Sequence, residues 1–427
     1  MRSKVFFTAL GLLVIILGVI SWSLSVEAAS IKPGKPIVLG LPCSFKATPW
    51  PLGAKYGWEL AVEEINAAGG VKVGGEMHQL KLIVLDTRDE EPGVPVSESL
   101  LGIEKLILDE KVDVLVGGPT MSEASMAAID LVAKYDIVHL ITSGTWTPGW
   151  PKKVGGNIKK YRNSFKMSLN AVTAVQSGME LLGKIREKLA LSKAFCIIDD
   201  VLFCRNAMDA FAGMAEKKGF TILGREAVPH GSTDFSPALM KAKRSGADLL
   251  FFWTNLATTT VFFKQFIDLE VPALPIGFAA GAQEHEVYKV VGGKVEYITF
   301  PNPHANITSL KAPGALQFQQ AFENKFGRKP FGGSGNAYVG AYLLKDVIER
   351  TGSLETSALV AALEKCDYAS MNGRIRFDGN HESIYSLYDP KEGVVPVWSQ
   401  WQGGRRVAIW PPALADAEIK LPPWMKK

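Results

Sequence analysis

The chain has 427 residues, more than one hydrophobic core usually serves, so its length favours two lobes. Hydrophobic residues make up 47% and charged residues 21%, which excludes a disordered or coiled-coil protein. With 47 basic and 43 acidic residues, the formal net charge is +4, and this balance predicts no nucleic-acid partner.

The N-terminal residues have the pattern of an export signal. Arg2 and Lys4 precede the almost wholly apolar run 5–20, and small residues at Val26 and Ala28 suit cleavage by a signal peptidase. The sequence therefore predicts a signal peptide over residues 1–28 and a periplasmic location. An uncleaved N-terminal anchor is the alternative, because the apolar run is slightly long for a signal.

Apolar runs alternate with helical repeats along the first part of the mature chain. Helical spacing is clearest at Trp58, Ala61, Val62 and Ile65, which recur at i, i+3, i+4 and i+7. Strands are predicted at 36–41, 80–85, 112–116 and 137–141. Strict alternation of this kind favours a parallel sheet with helices on both faces.

A second alternating unit follows, with strands predicted at 194–198, 220–228, 248–253 and 274–278. Two further helices and two strand-like runs then suggest that the chain returns to the first lobe and crosses again near residue 380. The predicted domains are lobe one at 36–163 plus about 302–380, lobe two at about 164–296 plus about 381–410, and a C-terminal tail at 411–427.

Motifs for catalysis, cofactors or metals do not emerge from the sequence. Residues 332–336 fall short of a nucleophile elbow, and His285-Glu286 lacks the second His of a zinc-protease motif. We therefore expect no cofactor, no metal and no enzyme activity. The four cysteines do not have the spacing of a disulfide scaffold, and whether they pair is left open.

Several segments resemble a known family over nearly the whole mature chain. They are GWELAVEEINAAGG at 57–70, GPTMS at 118–122, TSGT at 142–145, STDFSP at 232–237 and the helix at 338–352. The sequence is similar to type I periplasmic binding proteins of the branched-chain amino acid receptor family, which are solute-binding components of ABC transporters. The resemblance implies an α/β fold of two doubly wound parallel-sheet lobes joined by a three-strand hinge. It also implies a monomer that binds a small-molecule ligand between the lobes and delivers it to a membrane permease.

Two predicted strand-to-helix turns supply the candidate ligand site. Thr120 and Ser122 follow one strand, and Ser143, Gly144 and Thr145 follow the next. In doubly wound sheets ligands bind beyond the carboxyl ends of the strands, where hydroxyls and helix N-termini stabilise a carboxylate. The alternative is that Ser122 merely caps its helix. The resemblance implies that Ser122, Ser143 and Thr145 contact the ligand carboxylate and amino group.

Aromatic residues recur where the strands of both units end. Trp50 precedes the first helix, Phe203 follows the strand ending near Asp199, and Asn255 follows Trp253. These rings could enclose an apolar ligand body, although core packing is the alternative for any one of them.

One position departs from the family pattern. The amino acid receptors carry an acid, which pairs with the ligand ammonium, shortly after the strand that corresponds to 274–278. Ala279 stands there in this sequence. Either another acid substitutes, with Glu284, Glu286, Asp199 and Asp200 as candidates, or the ligand lacks an amino group. An amino acid or related small carboxylate, an aromatic or aliphatic acid or amide, and a ligand-sensing role for a receptor all stay open.

Overall fold

The computed structural model describes residues 34–46, 48–255, 259–302, 309 and 311–425, so the predicted signal peptide lies outside the described residues. Within these ranges, no helix has the length and apolar character needed to cross a membrane. The strands are β1 Ile37–Cys43, β2 Val71–Val73, β3 Glu76–His78, β4 Leu80–Asp86, β5 Val114–Gly117, β6 Val138–Ile141, β7 Ser164–Lys166, β8 Lys193–Asp199, β9 Thr221–Val228, β10 Leu249–Thr254, β11 Leu274–Ala279, β12 Thr299–Asn302, β13 Tyr368–Ser370, β14 Gly373–Ile375, β15 Val397–Gln402 and β16 Arg405–Trp410.

The α-helices alternate with these strands through most of the chain. They are α1 Pro49–Ala67, α2 Val96–Leu108, α3 Ser122–Tyr135, α4 Gly149–Gly156, α5 Ile158–Tyr161, α6 Ala171–Ile185, α7 Leu202–Lys217, α8 Ser236–Ser245, α9 Thr259–Asp268, α10 Val287–Val290, α11 Ala315–Phe326, α12 Ser334–Thr351 and α13 Thr356–Glu364.

Lobe one is built on a parallel sheet with the strand order β4-β1-β5-β6-β7. Side chains alternate between the faces of each strand, so Val114 and Val116 pack with Trp58 of α1 on one face. Leu115 packs with Ile103 of α2 on the other face. Helices therefore cover both faces, as the alternating sequence predicted.

Lobe two has the strand order β16-β15-β12-β11-β10-β8-β9, in which β15 and β16 run antiparallel to their neighbours. Phe251 of β10 faces α6 and α7, where it stacks on Phe211 at 4.1 Å between ring centroids. Phe252, the next residue, faces α8 and α9 and contacts Phe262. The α/β class and the two doubly wound lobes are thus confirmed.

The strand pairing differs from the sequence-based boundaries in two places. Ser164–Lys166 pairs with β6 in the first sheet, whereas we expected lobe two to begin at about residue 164. Ser383 N–H donates to Lys166 O at 2.8 Å and Val395 N–H donates to Asn372 O at 3.3 Å, so the chain beyond residue 380 still bonds to lobe one. A strand of three residues is too short to show a hydrophobic period, which explains the missed boundary.

The predicted C-terminal tail is part of lobe two through residue 425. Gln400 Nε2 of β15 donates to Lys420 O at 2.8 Å, and Trp424 Nε1 donates to Val271 O at 2.8 Å. These bonds hold the tail against the antiparallel edge and against the loop before β11. The tail therefore covers surface of this lobe.

A buried ion pair joins two segments that pass between the lobes. Lys166, which is fully buried at the end of β7, places Nζ 2.6 Å from Glu382 Oε1. Asn170, on the first connection to lobe two, donates from Nδ2 to both Glu382 oxygens at 3.1 and 3.2 Å. Lys166 Nζ also donates to Thr145 O at 3.2 Å. The pair therefore ties the connecting segments to the loop after β6.

Removing one partner of this pair should destabilise the fold strongly. Lys166→Met leaves the Glu382 carboxylate buried without its cation, and we expect a loss of about 3–5 kcal/mol in the free energy of unfolding, measured by urea denaturation. Adding Glu382→Gln should recover much of that loss, since the amide needs no counter-charge. Lys188→Met, which removes an exposed pair with Glu418, is the control and should cost less than about 1 kcal/mol. Equal losses for the two lysine variants would contradict the role of the buried pair.

Candidate functional site

The two lobes meet around a small cavity of about 30 Å³. Its walls come from the first turn of α1 and the loops after β4, β5 and β6 in lobe one, and from α7, the end of β11 and the residue after β10 in lobe two. Both parallel sheets thus direct the carboxyl ends of their strands toward the same space. The cavity is lined by Trp50, Glu90, Thr120, Met121, Ser122, Gly144, Thr145, Trp146, Phe203, Asn255 and Phe278.

Most of the residues predicted for the ligand site line this cavity. They are Trp50, Thr120, Ser122, Gly144, Thr145, Phe203 and Asn255. Ser143 and Ala279 are not in its wall. Ser143 is fully buried, and its N–H donates to Gly117 O. Ala279 packs in the core beside α8 and α9, because side chains alternate along β11 and the preceding Phe278 takes the cavity side.

The loop after β6 has a constrained backbone. Gly144 has φ 68°, and a Cβ there would lie 2.1 Å from Thr120 O, so only glycine fits. Thr145 also has a positive φ of 60°, which is uncommon for a β-branched residue. Its N–H donates to Thr120 O at 2.9 Å, and its hydroxyl lies 2.6 Å from Ser125 Oγ. These bonds hold the two turns of lobe one together at the cavity wall.

The polar groups in the cavity wall differ in whether they already have a hydrogen-bond partner within the protein. Ser122 Oγ accepts from Thr147 N–H at 3.2 Å and keeps its own proton for another acceptor. Among the described residues, Trp50 Nε1 has no hydrogen-bond partner, and Thr120 Oγ1 has only the weakly bonding Cys43 thiol beside it. Buried donors without a partner are unusual, so Trp50 and Thr120 are the groups most available to a ligand.

The start of α3 is partly occupied by the protein itself. We expected its free backbone N–H groups to receive a ligand carboxylate, but Met121 N–H donates to Asp89 Oδ2 at 2.6 Å. Asp89 is buried, and burial raises the pKa of its carboxyl. A carboxyl group of the protein thus already stands at this helix end, which leaves the side-chain donors as the main polar contacts for a solute.

An aromatic cluster spans the boundary between the lobes. Trp146 of lobe one lies 4.6 Å from Phe278 and 6.2 Å from Phe203 of lobe two, measured between ring centroids. Trp50 adds an edge contact to Trp146 at 5.6 Å. These rings form the apolar walls of the cavity, and their contacts across the boundary stabilise the closed arrangement of the lobes.

Sequence reasoning missed Glu90, which the structure places in the cavity wall. The residue is 2% exposed. Thr48 Oγ1 donates to Glu90 Oε2 at 2.7 Å, and Asn255 Nδ2 of lobe two reaches Oε1 at 3.4 Å. Burial, reinforced by the charge of Asp89, raises the Glu90 pKa to about 8. The available signal was the acidic run 89–91, which follows a predicted strand three residues later and looks like a solvated loop.

The acids proposed from the sequence lie elsewhere. Asp199 is buried behind the wall and accepts from Asn255 N–H at 2.6 Å. Asp200 pairs with Arg205, and Glu284 and Glu286 pair with Arg328. The carboxyl group in the cavity therefore comes from lobe one and not from lobe two.

Among the residues that the structure describes, no cluster of His, Cys, Asp and Glu could hold a metal ion. Cys43, Cys196, Cys204 and Cys366 are buried and do not form disulfides. Burial raises the pKa of each thiol, so these cysteines stay protonated near neutral pH and behave as small apolar residues.

The raised pKa of Glu90 predicts a pH-dependent stability difference. The folded protein holds this proton more tightly than the unfolded chain, whose pKa is near 4.5, so the neutral carboxyl's contribution to stability is lost as pH rises toward about 8. Relative to Glu90→Gln, the wild type should match at about pH 4.5 and become less stable by up to about 1.4 kcal/mol per pH unit until about pH 8. Urea denaturation at several pH values measures this, with the exposed Glu110→Gln as control. A constant difference would contradict the assignment.

Comparisons with known proteins agree with this architecture. The family model described as periplasmic binding protein matches residues 44–388. The chain is 24% identical over 381 residues to Leu/Ile/Val-binding protein homolog 7 of Brucella suis, covering 86% of this chain and 88% of that protein.

Two solved structures have a similar fold. A solute-binding protein of an ABC transporter from R. palustris, in complex with benzoate, has a TM-score of 0.72 at 16% identity and covers 90% of this chain and 98% of its own. A branched-chain amino acid transporter substrate-binding protein from Streptococcus pneumoniae, in complex with isoleucine, has a TM-score of 0.70 at 20% identity and covers 91% and 100%. Since the family model spans most of its length, the chain belongs to the periplasmic binding protein family, the solute-binding proteins of ABC transporters.

Proposed function

We propose that the cavity binds a small carboxylic acid with an aromatic or bulky apolar body. The observation that carries this proposal is the combination, within one interlobe cavity, of ring walls with buried donors that lack a protein partner. Trp50 Nε1–H, Thr120 Oγ1–H and Ser122 Oγ–H would donate to the carboxylate. Trp146 and Phe278 would enclose the apolar body.

The cavity walls favour an acid with an aromatic body over one whose body is charged or strongly polar. Around the cavity, Trp146 lies within 6.2 Å of the Trp50, Phe203 and Phe278 rings, which leaves a mainly apolar surface. The R. palustris protein of similar fold was solved with benzoate, which has this chemistry. That likeness supports an aromatic carboxylate as the first ligand class to test.

An amino acid is the second candidate, and Glu90 is the observation that favours it. A carboxylate in the wall could pair with a ligand ammonium, which would replace the acid that we expected after β11. The Brucella suis relative is named for leucine, isoleucine and valine, and the Streptococcus pneumoniae protein was solved with isoleucine. The acid would then act from lobe one.

Binding would proceed by closure of the lobes around the solute. Lobe one presents Thr120 and Ser122, and lobe two then brings Phe278 against Trp146 and Asn255 against Glu90. The protein would work as a periplasmic monomer, without chemical turnover, and its closed form would dock on a membrane permease. Ligand binding shifts the open and closed populations only through its preference for the closed state.

Calorimetric titration of the purified mature chain tests this function. The solutes are benzoate, phenylalanine and leucine, and saturable binding of at least one is expected. Thr120→Val should weaken that binding at least about tenfold, since a hydrogen bond to a charged group contributes about 1.5–3 kcal/mol. The melting temperature should not fall, because the Thr120 hydroxyl has no nitrogen or oxygen partner among the described residues.

Ser143→Ala is the matched control for Thr120→Val. The Ser143 hydroxyl is equally buried and also lacks a partner in the described part of the chain, but Ser143 does not line the cavity. Its removal should leave affinity unchanged. Absence of binding to all three solutes, or equal losses in the two variants, would refute the proposed site.

A further inference from the structure

The ionisable groups nearest the cavity are mainly acids. Asp89 lies beside Glu90, Asp199 accepts from Asn255 N–H behind the wall, and Glu123 Oε1 accepts from Leu202 N–H at 3.3 Å. No Lys or Arg is among the described residues that line the cavity. An ionised Glu90 would therefore have no cationic partner at the site.

The other titratable groups around Glu90 do not place a free cation beside it. The Cys43 thiol, at the end of β1, stays protonated because burial raises its pKa. His139, behind the turn after β5, is buried, and burial lowers its pKa to about 4, so the ring is neutral. Lys166 reaches the backbone oxygen of Thr145, but its charge is paired with Glu382.

The hydrogen bonds of Glu90 leave one oxygen weakly satisfied. Thr48 Oγ1 donates to Oε2 at a normal 2.7 Å, whereas Asn255 Nδ2 lies 3.4 Å from Oε1. A buried ionised carboxylate is stabilised by several short donors or by a cation, and this one has neither in the described structure. The carboxyl is therefore suited to hold a proton and to donate it in a hydrogen bond.

We propose that Glu90 contacts the bound solute as an uncharged carboxylic acid that donates a hydrogen bond to it, and so selects carboxylates that lack an ammonium group. This inference rests on the proposed function. A solute carboxylate and an ionised Glu90 would repel each other in a buried site without a cation, but a neutral Glu90 and a solute carboxylate attract. An amino acid requires the opposite, since its ammonium pairs only with the ionised form.

The two protonation states predict opposite effects of pH on affinity. If Glu90 binds as the acid, the affinity for benzoate is constant below the pKa of the unliganded protein, about 8, and falls about tenfold per pH unit above it. If Glu90 binds as the carboxylate, affinity rises with pH up to that value and then levels off. Benzoate keeps the same charge across this range, so the change comes from the protein.

The test titrates benzoate and phenylalanine into wild-type protein and Glu90→Gln by calorimetry, from about pH 6 to about pH 9.5. Glutamine has the shape of the neutral acid, can donate a hydrogen bond and does not ionise. We expect E90Q to keep its benzoate affinity within about threefold at neutral pH and to lose the fall above pH 8. Glu110→Gln, an exposed control, should keep the wild-type profile. Loss of benzoate binding in E90Q, or an unchanged pH profile, would overturn the proposal.

A measurement on the wild type alone keeps the proposal testable if E90Q does not fold. Benzoate binding at about pH 8.5 is repeated in buffers of different ionisation enthalpy, which gives the number of protons exchanged. Uptake of most of one proton is expected, and release or no exchange would overturn the inference. If benzoate, phenylalanine and leucine all fail to bind the wild type, the proposed function itself fails, which is a different outcome from binding without proton uptake.

Discussion

The carboxyl ends of two parallel sheets face one another, and this constraint produces the cavity. Parallel strands end at the same edge of a sheet, so the turns after β4, β5 and β6 gather on one side of the boundary. Lobe two brings α7 and the ends of β10 and β11 to the other side. The segments that line the cavity are far apart in sequence and share their position near these ends. Trp146 marks the meeting point, because it contacts rings from both lobes.

The turns that form the wall are held by bonds made outside the cavity. Thr145 keeps its uncommon positive φ because Ser125 bonds its hydroxyl and Lys166 bonds its carbonyl oxygen. Lys166 in turn is fixed by Glu382 on the last connection between the lobes. Solute-binding groups and connecting segments are thus parts of one hydrogen-bonded network. A shift of the connections during closure would be transmitted directly to the loop after β6.

Much of the fold and of the cavity wall could be predicted from the sequence, because runs of apolar residues indicate where the strands end. The α/β class and the two lobes followed from that pattern, and the pattern together with the family resemblance identified seven cavity residues, such as Thr120 and Phe203. The direction of each side chain was harder to predict, because a shift of one residue along a strand moves a side chain to the opposite face of the sheet. Ala279 was predicted at the site, but Phe278 faces the cavity. Glu90 was missed because an acidic run after a strand looks solvated, and only the approach of Asn255 from the other lobe shows that it is buried.

Because that burial depends on both lobes, the position of Glu90 has a consequence for closure. Desolvation is the main cause of its raised pKa, and Asn255 of lobe two covers it. The closed arrangement and the protonated carboxyl therefore favour each other, and ionisation of Glu90 above about pH 8 would weaken closure. Above that pH, closure requires Glu90 either to take up a proton or to meet a cation. A solute that brings no cation makes proton uptake part of closure, so solute chemistry and lobe movement are linked through one carboxyl group.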